Sequence, residues 1–248
     1  PTNHARASLA TLVAGSDVSF WRGTGYPAQG AIPAAAAVCS VATAGAFPLR
    51  ARSGAQVRRL VELSIQAATA SQTFYIEDRL AHMGGLSGTV ATAQTIGIDL
   101  LTLAGTNNLA ARKGEADYSD VDWFMEWYTA TGATIATPVI NVTYDGGSTG
   151  NANVWVLGAT ALPASVAASR RYQIIPAVAG RQIRGLNTIT MPTTGTAGNF
   201  GFTAVRKLAS IVSPAIAYRE EKVTFDKAHA PVIEDQACLT FAGTVIAT

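Results

Sequence analysis

From Gln56 onward, hydrophobic and polar positions alternate with a period of two, the signature of strands that bury one face. In RLVELSIQA, Arg59, Val61, Leu63, Ile65 and Ala67 share one face, and Leu60, Glu62, Ser64 and Gln66 share the other. TFYIEDRL places Phe74, Ile76, Asp78 and Leu80 opposite Tyr75, Glu77 and Arg79. DWFMEWY sets Trp123, Met125 and Trp127 against Phe124, Glu126 and Tyr128, so this strand is aromatic on both sides. A hairpin is predicted from two β-rich runs, 134–144 and 153–157, around a loop containing Asp145, Gly146, Gly147 and Gly150.

Further runs of the same kind, RRYQIIP, QIRGLNTITM, GNFGFTAVRKL, EKVTFD and ACLTFAGTVIA, bring the count after residue 55 to about ten strands. Apart from a short turn near Leu162–Arg170, no segment carries a helical stripe. The spacing predicts an all-β chain, an antiparallel β-sandwich of jelly-roll type over residues 55–248. Residues 1–54 read differently. Gly15, Gly23, Gly25, Pro27, Gly30, Pro33, Gly45, Pro48 and Gly54 interrupt them, and Phe20, Trp21, Tyr26 and Phe47 stand as isolated large side chains. This pattern predicts an extended N-terminal arm, anchored at those side chains to its own domain or to a neighbour.

Composition narrows the function. Of 248 residues, 48% are hydrophobic and only 14% charged, so the chain can fill a core and its surface is rich in hydroxyl and small residues. The net charge of +2 is spread over separated basic pairs, which argues against nucleic acid as a partner. The apolar run Ala31–Phe47 is broken by Pro33, Ser40 and Gly45, so no membrane span is expected. The first twenty residues lack the apolar core of a secretion signal, and synthesis in a cytoplasm is expected.

Candidate chemistry is sparse. Phe74–Gly88 concentrates Glu77, Asp78, Arg79 and His82 ahead of Gly84-Gly85, but the other histidines, His4 and His229, are remote in sequence. The expectation is a structural strand end: Glu77 and Arg79 pair toward solvent, and His82, Met83 and the glycines turn the chain. Glu115–Asp122 holds four carboxylates without the glycine and terminal glutamate of a calcium loop, and reads as a solvated acidic loop. Gly23-x-Gly25 lacks the third glycine of a dinucleotide loop. Trp123, Trp127 and Trp155 could line a sugar groove, but core or interface roles are commoner for such aromatics. Cys39 and Cys238 match no metal or redox spacing and read as small buried apolar residues. No catalytic residue, cofactor or metal is expected, and the chain is not expected to be an enzyme.

Taken in order, RRLVELSIQAATASQTFYIEDRLAHMGGLSGTVATAQTI, DWFMEWYTATGATIATPVINVTYDGG, ITMPTTGTAGNFGFTAVRKLA and APVIEDQACLTFAGTVIAT resemble virion structural proteins of tailed bacteriophages. Within that group the chain is similar to the jelly-roll cement or decoration proteins that clamp neighbouring shell subunits. The resemblance covers roughly residues 55–248, and the DRL-H-GGL, WYTATG and TGTAGNFG patterns carry it. It implies a place on the capsid surface, the major capsid protein as partner, and a homotrimer. Trp21, Tyr26, Trp123, Phe124, Trp127 and Tyr128 are the candidate interface residues, because a strand aromatic on both sides needs cover for its second face. The alternative is a tail- or neck-associated β protein that binds glycan receptors.

Overall fold

The period-two segments do fold as strands. The computed structural model describes residues 4–7, 16–68, 72–132, 137–155, 162–163, 165–192, 197–213 and 218–245. The strands are β1 (Ala5–Arg6), β2 (Asp17–Ser19), β3 (Gly25–Tyr26), β4 (Ala37–Val38), β5 (Arg58–Arg59), β6 (Glu62–Gln66), β7 (Gln72–Ser87), β8 (Gln94–Asp99) and β9 (Asp122–Trp127). They continue as β10 (Val139–Tyr144), β11 (Thr149–Trp155), β12 (Arg170–Pro176), β13 (Ile183–Thr190), β14 (Asn199–Val212), β15 (Glu220–Thr224), β16 (Val232–Ile233) and β17 (Leu239–Val245). One helical turn, α1 (Leu109–Arg112), precedes β9. The chain is therefore all-β and antiparallel. The turn expected near Leu162–Arg170 is not helical among the described residues, and the 134–136 and 156–157 ends of the predicted hairpin lie outside them.

Eleven strands form one sheet, in the order β2-β17-β7-β14-β9-β12-β11-β10-β13-β8 with β4 beside β7. Its decisive feature is the shortest major member. β2 pairs on one side with β17 (Ser19 opposite Ala242) and on the other with β12 (Asp17 opposite Arg171). Six strands, β2, β17, β7, β14, β9 and β12, thus close into a ring, which removes free edges at that end of the sheet. Beyond Arg171 the same edge of β12 passes to β11, with Gln173 opposite Trp155, and the sheet continues through β10, β13 and β8.

Apolar residues cover the outside of this ring. Trp123, Met125 and Trp127 of β9, Tyr172 and Ile174 of β12, and Phe200 and Phe202 of β14 enter the main core with residues of β8, β10 and β13. On the other flank, Val18, Phe74, Ile76, Ile211 and Leu239 pack against Phe47, Leu63 and Ile233. Each large side chain buried this way contributes about 1.5–3 kcal/mol.

The described part of residues 1–54 is anchored on the strands that follow: β2 completes the ring, and Trp21, Cys39 and Phe47 are buried. One sequence expectation changes here: Gly84 and Gly85 do not turn the chain. β7 runs through them to Ser87, with Phe202 opposite Met83 and Phe200 opposite Leu86, so both glycines face Gly201 alone. This is a β-bulge, and the φ of +75° at Gly85 is the left-handed conformation that lets the strand continue past it.

Gly150 also moves from the predicted loop into β11. A Cβ there would lie 2.5 Å from the Tyr144 ring, so the hairpin closes around an aromatic that only glycine can accept.

Candidate functional site: a charged barrel interior

Strand register dictates what points into the ring. Arg171 lies opposite Glu126, Phe124 opposite both Gln173 and Thr203, Lys207 opposite Glu77, and Glu77 opposite Thr240. Because alternate residues share a face, the apolar outer residues leave the charged ones on the inner face. A barrel of this size has its interior filled by side chains. Here the filling is polar.

Arg171 of β12 spans the ring. It donates two parallel hydrogen bonds to the Glu77 carboxylate of β7, at 2.7 and 2.6 Å, and a third from Nε to Asp17 of β2. β12 and β7 are three places apart in either direction round the ring, so this contact is made through the interior. The same guanidinium sits 3.9 Å above the Phe124 ring. Arg79 reaches Oε2 of Glu126 at 2.9 Å, and the same oxygen accepts from the Thr203 hydroxyl at 2.9 Å. Lys207 pairs with Asp122 at 3.0 Å and lies over Tyr75 and Phe124. On the outer face of β7, Asp78 makes its own two-pronged pair with Arg112 of α1, at 2.9 and 2.6 Å.

Glu77, Arg79, Glu126 and Arg171 are each 4% exposed or less, and their electrostatics follow from that. Burial would lower the Arg171 pKa, but the Asp17 and Glu77 charges more than offset it and hold the guanidinium protonated. Burial would raise Glu126; the Arg79 charge, helped by hydrogen bonds from Ser19 and Thr203, brings its carboxyl below the usual glutamate range. For Asp17 burial prevails over Arg171, and with Glu77 nearby its pKa is raised. Such a network is costly to desolvate and costly to break. Removing one partner of a buried pair typically costs about 3–5 kcal/mol.

A third cluster abuts the ring. Trp21, Cys39, Ala46 and Cys238 pack together, fully buried. Arg79 stacks 4.5 Å over the Trp21 ring and donates from Nε to His82 Nδ1 at 3.2 Å. Burial acts to raise the Cys39 thiol, but hydrogen bonds from Cys238 and His82 and the Arg79 charge hold it well below its usual value. Cys238 is pushed up as the donor of the pair.

The residues singled out from sequence fall as follows. Glu77 and Arg79 do not pair with each other toward solvent; each is buried with a partner on another strand. Asp78 and His82 are buried as well. Of the candidate interface residues, Trp21, Trp123, Phe124, Trp127 and Tyr128 are interior, and only Tyr26 is exposed. The second aromatic face of β9 is covered by the charged interior of the same chain, so it does not ask for a second copy. In the acidic loop, Asp117 bonds Ser119, Asp120 lies beside Arg206, and Asp122 holds Lys207. Among the described residues no three His, Cys, Asp or Glu side chains are grouped to hold a metal. A hollow of about 290 Å³ between Leu49, Arg52, Arg58 and Asp235 lies outside the ring, and its Arg52 and Asp235 pair with each other.

Arg112, Arg171 and Glu126 escaped the sequence reading. For Glu126 and Arg171 the available signal is a charge set beside bulky residues, as in DWFMEWY and RRYQIIP. Comparison with protein-family models, with curated proteins and with solved structures finds no match to the chain. Among the described residues no helix is long and apolar enough to cross a membrane.

Proposed function

We propose that the chain is a structural component of a tailed-phage virion, a jelly-roll-like cement or decoration protein that bridges major capsid subunits on the head surface. The observation that supports this reading best is that the reactive groups are sealed. The carboxylates, guanidiniums, imidazole and thiols brought together around β7 serve one another in the interior rather than opening on a cleft. A shell component acts through rigidity, area and multivalent geometry and needs no reacting group. The charge-poor composition fits that role, and so does a ring whose halves are tied across the interior by Arg171 and Glu77. The partners on this reading are the major capsid protein and further copies of the chain as a homotrimer; Tyr26 is the surviving interface candidate.

The test is compositional. Particles carrying the protein, stripped of tails and still filled with DNA, should retain it in fixed ratio to the major shell protein. Its recovery in the tail fraction alone would overturn the proposal. That result would favour a receptor-binding role, for which exposed Trp155 offers an indole face that can stack on a sugar. Trp155→Ala would then abolish glycan binding.

A further inference from the structure

Cys39 and Cys238 are 199 positions apart in sequence, yet one ion pair holds both backbones. Arg112 donates from Nη1 to the Cys39 carbonyl at 2.6 Å, and its partner Asp78 accepts the Cys238 N–H at 2.8 Å. Both residues also dock on one edge of β7. The Cys39 N–H donates to the Leu80 carbonyl, and the Arg79 N–H donates to the Cys238 carbonyl, each at 2.9 Å. The two cysteines therefore meet where β4 and β17 abut end to end, against consecutive residues of one strand, a rise of about 3.3 Å. That geometry suits a disulfide, which requires Cα atoms about 4.4–6.8 Å apart. The surroundings favour exchange chemistry. Because Arg79 donates to His82 Nδ1, the imidazole proton is left on Nε2, free to donate to Cys39.

We infer that Cys39 and Cys238 are a built dithiol that oxidises to one intramolecular disulfide, stapling the β4 segment to β17. Cys39 is the attacking sulfur. Its thiolate displaces one thiolate from a low-molecular-weight disulfide such as oxidised glutathione, leaving a mixed disulfide on Cys39, and the released glutathione thiolate takes up a proton. Cys238 then loses its proton, and its sulfur attacks the Cys39 sulfur and expels the second glutathione. Two protein thiols are oxidised and one glutathione disulfide is reduced to two thiols. Access comes through the chain preceding Cys39: Ala34–Ala37 are exposed, and β4 holds to β7 by only two residue pairs, so this segment opens locally before the ring does.

The full-length chain should be incubated with oxidised glutathione, alone and in urea below the unfolding transition. Free thiols are then counted after denaturation, and the product is mapped by mass spectrometry. The expected product has lost two thiol hydrogens, retains no glutathione, yields a Cys39–Cys238 linked peptide, and unfolds at higher denaturant than the reduced protein until a dithiol reductant is added. In Cys238→Ser, glutathione should remain trapped on Cys39. Two thiols persisting under both conditions, glutathione retained on both cysteines, or disulfide-linked dimers would each overturn the inference. These readouts require no virion, so their failure is separate from that of the proposed function.

Discussion

Replacing Arg171 by Met tests whether the interior charges organise the ring. Met approximates the length of the side chain but removes three donors at once: two to Glu77, at 2.7 and 2.6 Å, and one to Asp17. Glu77 has no exposed surface, so its charge is left without water or a partner. Breaking a buried pair in this way costs about 3–5 kcal/mol. The lost stacking on Phe124 adds to that, by up to about 2 kcal/mol for a desolvated cation–π contact. For a chain of this size each kcal/mol moves Tm by about 2–4 °C, so the pair alone predicts a fall of roughly 6–20 °C. Urea unfolding followed by tryptophan fluorescence measures it, since Trp21, Trp123 and Trp127 are buried. Glu77→Gln in the Arg171→Met background supplies the control: it removes the stranded charge, so the double variant should lose less than the two single losses added. A loss below about 1 kcal/mol for Arg171→Met, or strictly additive losses, would refute the reasoning.

Glu126 sets a pH dependence. Its folded pKa is depressed, so it stabilises the fold above the unfolded glutamate value of about 4.3 and loses that contribution as pH falls through the folded value. The stability gap between the native chain and Glu126→Gln should therefore narrow below about pH 4.3, and a gap constant from pH 7 to pH 3 would contradict the assignment. Deleting residues 1–24 removes β2 and opens the ring, so cooperative thermal unfolding should be lost rather than shifted. Trp127→Ala should cost about 3–5 kcal/mol in the core, whereas Trp155→Ala on the surface should stay within about 0.5 kcal/mol, both read from denaturant midpoints.

The all-β class was legible because alternation in segments such as DWFMEWY reports a pleated strand whatever covers it. The Trp123, Met125 and Trp127 face proved to be core. What alternation does not report is the medium on the polar face. Glu77 and Arg79, two positions apart beside Phe74 and Ile76, read as a solvent pair because water and a charged interior select the same residues. Their partners lie elsewhere in the chain, Arg171 at 94 positions from Glu77. The role of β2 was hidden for a different reason: three residues, DVS, carry no measurable period, and two sets of backbone pairings give them their importance. In sequence the Gly84-Gly85 pair suits a turn and a bulge equally, and the opposing Gly201 decides between them.

The placement of β2 also orders the events of synthesis. Asp17 is translated 227 positions before Thr244, which donates to it from β17. Until β17 leaves the ribosome the ring has no closing stave. Glu77, Arg79, Glu126 and Arg171 remain wetted meanwhile, and desolvating them belongs to the last step of folding. Pairing across so long a loop is slow. A nascent chain stalled before β17 should therefore be captured by chaperones with its Asp17–Ser19 edge still open, and the cell meets the protein first as an unclosed sheet.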